Sequence, residues 1–118
     1  MKSQKAAIYC RVDDDKEYAS RQEKLDKMYY RLAAFAHAHK MSIVSYYEDT
    51  ENTPDILSPP GITDLLADYK NGLFNAILVT NYNQIPKAIL DNMLENIYSI
   101  NTSERIRKAL HKVPYISQ

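Results

Sequence analysis

Three short runs that are almost free of charge, residues 6–12 (AAIYCRV), 41–47 (MSIVSYY) and 74–80 (FNAILVT), are separated by segments whose apolar residues recur every three or four positions. Uncharged runs of this length suit strands buried on both faces, as in a parallel sheet. Leu25, Met28, Tyr29, Leu32, Phe35 and Ala36 fall on one side of a helix running from about Ser20 to His39. Ile62, Leu65, Leu66 and Tyr69 do the same on a second helix, which Pro59 and Pro60 open and Asn71-Gly72 stops. Pro86 opens a third, with Ile89, Leu90, Met93, Leu94 and Ile97 on its buried face. Asn101 with Glu104 resembles the cap of a fourth, carrying Ile106, Leu110 and Val113. The order β-α-β-α-β-α-α predicts an α/β fold of three layers, a mostly parallel sheet flanked by helices, with right-handed crossovers. A chain of 118 residues holds one such domain, expected over 1–100, followed by a short basic helix or tail over 101–118.

In a fold of this kind ligands bind beyond the carboxyl ends of the strands. Three loops gather there, and the first two are acidic. Asp13, Asp14, Asp15 and Glu17 stand against Lys16 alone, and Glu48, Asp49, Glu51 and Asp55 stand against no base. The third loop, Asn81 to Ile85, is polar and uncharged. Such carboxylates have two readings. They are solvated loop charge that also suits helix starts, or they hold a divalent cation, with Asp13, Asp14, Asp15, Glu48 and Asp49 as ligands. A phospho-acceptor domain would need a further Asp at the end of the third strand, where Thr80 and Asn81 stand instead.

Composition narrows the function classes. Fifteen Lys and Arg balance fifteen Asp and Glu, so the chain as a whole is not a polycation built to grip nucleic acid. The cations that are clustered lie in the tail: Arg105, Arg107, Lys108 and Lys112, candidates for DNA phosphate contact. Cys10 is the single cysteine, which excludes an internal disulfide and a paired-cysteine metal knuckle. His37, His39 and His111 have no zinc-site spacing. The ten tyrosines are read mainly as core and surface aromatics. No apolar run approaches the ~20 residues of a membrane span, and the first ten residues are too weakly apolar for a secretory signal. A cytoplasmic location, no membrane partner and no cofactor are the expectations.

Several ordered segments carry a resemblance. Tyr9-Cys10-Arg11-Val12, a long helix containing Ser20 and Gln22, the phrase Pro60-Gly61-Ile62-Thr63-Asp64-Leu65-Leu66, and Asn71-Gly72-Leu73-Phe74-Asn75-Ala76-Ile77-Leu78-Val79 occur in that order. Together they resemble the catalytic domain of the serine recombinases, the resolvase/invertase family, over roughly residues 5 to 97. The resemblance implies a resolvase-like domain and a nucleophilic serine two residues after an arginine of the first strand. That serine attacks a DNA phosphate amid arginines and an Asp-Arg-Leu-x-Arg motif.

The positions implied for that chemistry are mostly changed. Arg11 matches the strand arginine and Gln22 a helix glutamine, but the nucleophile position is Asp13. The arginine of an Arg-Pro-Gly phrase falls on Pro59, and the Asp-Arg-Leu-x-Arg motif reads Asn83-Gln84-Ile85-Pro86-Lys87. Phosphoryl transfer is catalysed by positioning and charge stabilisation. An anion at the nucleophile position repels a phosphate by about 4 kcal/mol at ~4 Å and an effective dielectric near 20. A lysine lacks the bidentate fork of the arginine it replaces. The expectation is a degenerate, shortened recombinase-like domain, not an active enzyme. It would serve as a regulatory or interaction module that pairs with itself or with a recombinase and touches DNA weakly. Two alternatives stay open: a fragment of a longer site-specific recombinase, and the cation-binding or phospho-acceptor domain.

Overall fold

The computed structural model describes residues 4–12, 18–50 and 60–101. Strand β1 spans Gln4–Val12, helix α1 Tyr18–Ala38, strand β2 Met41–Thr50, helix α2 Pro60–Lys70 and strand β3 Ala76–Val79. A 3-10 turn at Tyr82–Gln84 leads to helix α3, Lys87–Met93, a second 3-10 turn at Leu94–Asn96 and strand β4, Ile97–Ser99. The sheet order is β2-β1-β3-β4 and every pairing is parallel. The fold is therefore α/β, with a four-stranded parallel sheet between helices.

β1 lies inside the sheet and is apolar on both faces. Ala6, Ile8, Cys10 and Val12 pack with Leu25, Leu32 and Ala36 of α1, together with Ala76 and Leu78 of β3. Ala7 and Tyr9 face the other way, into a cluster with Tyr47, Ile62 and Leu65, Phe74, Ile77 and Val79. The chain leaves β1 toward β2 and then crosses back over β1 to β3. Right-handed crossovers in opposite directions put α1 and α2 on opposite faces. That reversal makes the ends of β1 and β3 a topological switch point.

The helix stops follow local chemistry. Gly72 adopts φ 79°, donating its N–H to Tyr69 O at 3.0 Å, while Leu73 N donates to Asp68 O at 3.1 Å. This paired closure satisfies the last carbonyls of α2, as Asn71-Gly72 predicts. Lys40, after α1, takes the same left-handed conformation with φ 57°, without glycine's freedom.

Two expectations need correction. The spacing predicts that the helix opened by Pro86 buries Ile97, but it ends at Met93, and Ile97 is a wholly buried residue of β4, paired with Ile77. No Gly or Pro separates Met93 from Ile97, so spacing alone runs the helix on through the break. The core thus has four strands where three were expected. Likewise β2 continues through Thr50, so Glu48 and Asp49 are strand residues and not loop residues. The fourth helix expected after Asn101 lies outside the described residues.

Candidate functional site

At the switch point, β3 pairs with β1 only from Ala6 to Ile8, because β3 stops at Val79. Beyond Ile8, a different group faces that edge of β1. The Gln84 side chain accepts from Arg11 N–H at 2.7 Å through Oε1 and donates from Nε2 to the Arg11 carbonyl at 3.0 Å. A side-chain amide here makes the donor–acceptor pair that a neighbouring strand would supply. An arginine could only donate. Replacing Gln84 by alanine is expected to destabilise the fold by about 2 kcal/mol, since both backbone groups are part-buried and lose their partner. Urea denaturation of the two proteins measures it.

Among the described residues, the other motif positions make contacts of their own. Gln22 donates to Asp26 Oδ1 at 3.0 Å on the exposed flank of α1. Lys87 pairs with Asp91 at 3.1 Å along α3, its side chain 86% exposed. Asn83 is exposed. Beside Gln84, Asn81 and Asn101 join the third loop to the end of β4 through a 2.8 Å side-chain hydrogen bond. Asp13, Asp14, Asp15, Pro59, Arg105, Arg107, Lys108 and Lys112 lie outside the described residues.

Asp49 is a structural group. It is 6% exposed and accepts three hydrogen bonds: from Tyr9 Oη at 2.7 Å, Gly61 N at 2.7 Å and Ile62 N at 2.9 Å. The last two are amide donors of the first turn of α2 that lack a partner within the helix, and there a carboxylate also meets the positive end of the helix. Glu48 is exposed and accepts from Tyr46 Oη at 2.8 Å. Among the described residues no group of three His, Cys, Asp or Glu is placed to hold a metal ion.

The loop sequences give no sign of one group of cations at this end. An open cavity of about 370 Å³ is lined by Arg11, Val12, Lys24, Lys27, Met28 and Gln84. The lysines come from α1, and Lys27 is also paired with Glu23 at 3.1 Å. Reading the loops alone gives an acidic face. The signal was present in α1, where Lys24, Lys27 and Met28 share a flank at steps of three and four. A larger open cavity, about 580 Å³, lies at the opposite ends of the strands, lined among others by Gln4, Lys5, Ser42 and Phe74, and is remote from the switch point.

Burial makes the acidic side chains of β1 inert. The Cys10 thiol is pushed up to about 12, first by desolvation, with the Glu48 charge adding to it and a Tyr46 hydrogen bond opposing. The Tyr9 phenol is raised too, by burial first and then by donating to Asp49. Cys10 is thus core and no nucleophile at neutral pH. The linkage has a definite sign: the unfolded chain loses these protons near their ordinary values, 9.0 for the thiol and 10.0 for the phenol, while the folded chain keeps them. Stability is full below pH 9 and falls as pH rises from about 9 to 12, by about 1.4 kcal/mol per pH unit for each proton retained. Urea titrations at rising pH test this. Cys10→Ala is expected to flatten the first part of the fall.

No protein-family model and no curated protein matches the sequence. Solved structures do match. The C-terminal catalytic domain of ISC1926 TnpA, an IS607-like serine recombinase, superposes with a TM-score of 0.68 at 17% identity, covering 90% of this chain and 77% of that one. The N-terminal catalytic domain of TP901-1 integrase superposes with a TM-score of 0.64 at 20% identity, covering 95% of this chain and 100% of that one. The parallel sheet and the helices on its two faces are thus those that the motif order implied, and the chain has the fold of the serine recombinase catalytic domains.

Proposed function

We propose that this chain is a recombinase-related module that no longer cuts or rejoins DNA and acts by association, with a second copy or with a recombinase. DNA contact is weak and runs through Arg105, Arg107, Lys108 and Lys112. The observation that carries the loss of cleavage is the Gln84 amide. On this fold, at a position where the family motif has a phosphate-binding arginine, the side chain is spent on holding Arg11's backbone. Lys87, the other remnant of that motif, is paired along its own helix and points to solvent. Asp13 supplies a carboxylate where a hydroxyl is required. An acyl phosphate at that position would also hydrolyse and defeat rejoining.

The test is incubation of the purified chain with supercoiled plasmid and with mixed-sequence duplexes, followed by denaturing electrophoresis. No nicking and no covalent protein–DNA adduct are expected. An adduct that disappears in Asp13→Ala would overturn the proposal. Fluorescence anisotropy on the same duplexes, titrated with salt, reads the tail contact: affinity should fall steeply with salt and drop when the four cations are removed.

A further inference from the structure

We infer that residues 102–113 form a helix that packs in an apolar groove between α1 and β4, with Ile106, Leu110 and Val113 against the sheet. This goes beyond the DNA contact proposed above, because it fixes where the tail cations sit, and it is independent of the loss of cleavage.

A parallel sheet is ordinarily covered on both faces. Here one face lies under α2 and α3, which bring Ile62, Leu65, Ile89 and Leu90 to the cluster of Ile77 and Ile97. On the other face the described residues supply only α1, whose Leu25, Leu32 and Ala36 pack with Ala6, Ile8 and Cys10 of β1. β4 sends Tyr98 to that same face, and Ile100 follows it two residues on; both are half-buried. The side chains flanking the buried row of α1 divide. Tyr29 meets Tyr46 of β2 at 5.5 Å between ring centres. Met28 and Phe35 lie on the opposite side of the row, toward β3 and β4, and are also half-buried. Met28, Phe35, Tyr98 and Ile100 thus line an apolar groove between α1 and β4.

Chain length and pattern select the occupant. The chain leaves β4 at the carboxyl end of this groove. There Asn101 donates from Nδ2 to Asn81 Oδ1 at 2.8 Å and from its N–H to Ser99 Oγ at 3.0 Å. Ile106, Leu110 and Val113, at steps of four and three, form one stripe, and Pro114 stops a helix directly after it. A helix over 102–113 is about 18 Å long. That is enough to run back along β3, a strand of four residues spanning ~13 Å. Seated over β3 and β4, it lies two strand spacings, ~10 Å, from an α1 seated over β1 and β2, the distance at which helices pack. With the stripe on the sheet, Lys108 points to solvent, and Arg105 and Lys112 fall on the flank away from α1. Only Arg107 turns toward the exposed Lys24 and Arg31 of α1, and its long stem lets the charge reach water. The segment is joined directly to the groove, so its effective concentration there favours it over the same segment of a second copy.

The test is hydrogen exchange of the whole wild-type chain, followed amide by amide by NMR at two protein concentrations, beside urea denaturation of variants. The amides of residues 106–113 should exchange at least about a hundredfold more slowly than in an unstructured peptide, equally at both concentrations. Leu110→Ala should lower the folding equilibrium constant about thirtyfold and Ile100→Ala about tenfold. The double variant should lose about fivefold less than the product of the two. Unprotected amides, a Leu110→Ala chain as stable as the wild type, or two effects that simply multiply would each overturn the inference. Protection that falls on dilution would assign the stripe to a second copy and overturn it as well. The exchange of the wild type decides even where a variant does not fold. An unprotected tail on a chain that does not cut DNA removes the docked helix alone. A DNA adduct formed by a chain with a protected tail overturns the loss of cleavage and leaves the docking.

Discussion

Gly61→Ala is expected to lower the stability of the fold by about 3–4 kcal/mol, enough to leave a small domain largely unfolded. A methyl group at Gly61 would sit 2.4 Å from the carbonyl oxygen of Glu48 and 2.8 Å from the Asp49 carboxylate. The first of these is backbone of a paired strand, so the helix start must back away from the sheet. That displacement also lengthens the hydrogen bonds from Gly61 N and Ile62 N to Asp49, now 2.7 and 2.9 Å. Thermal and urea denaturation read the loss. A change below about 1 kcal/mol would mean that α2 docks with slack there, contrary to the close approach. The need for glycine here is one of space, since at Gly72 an added methyl meets nothing within 4 Å and only the backbone angle argues for glycine.

The legible and illegible parts of the sequence divide along physical lines. β1, β3 and the buried stripes of α1 and α2 are long or uniform enough that periodicity alone identifies them. The order of motifs carried the resemblance that the structural matches bear out at the level of fold. β4 was hidden because it is three residues long and follows α3 with no glycine or proline between them. The carboxyl end of β2 looks like loop in the sequence because Glu48 and Asp49 are charged, whereas Glu48 faces solvent and Asp49 is buried under three donors. Nothing local announces those donors, since two of them lie twelve or more residues away on α2 and the third lies forty residues back on β1. Gln84 is a similar case. Its loss of arginine's charge was visible in the sequence, but its grip on Arg11 spans 73 positions and depends on where β3 ends.

Asp49→Ala is expected to cost about 3–5 kcal/mol, and it separates the two readings of the acidic residues. The substitution strips partners from a buried phenol and from two amides at the start of α2. Part of the loss belongs to Tyr9. In a Tyr9→Phe background the penalty for removing Asp49 should shrink by about 1 kcal/mol, because one stranded donor has gone. Asp49→Asn should fall between, since an amide keeps one acceptor oxygen but presents its own N–H groups to donors. If Asp49 were instead a cation ligand, Mg²⁺ would raise the melting temperature of the wild type by mass action, and Asp49→Ala would abolish that rise. The geometry predicts no such rise, because each carboxylate oxygen of Asp49 already accepts from the chain itself, Oδ1 from Gly61 and Oδ2 from both Ile62 and Tyr9. Melting curves of the wild type with and without Mg²⁺, beside the Asp49 and Tyr9 single and double variants, therefore test the hydrogen-bonded cap and the metal site in one series. A large coupling between Asp49 and Tyr9 with no metal response assigns Asp49 to the anchoring of α2 on the end of the sheet.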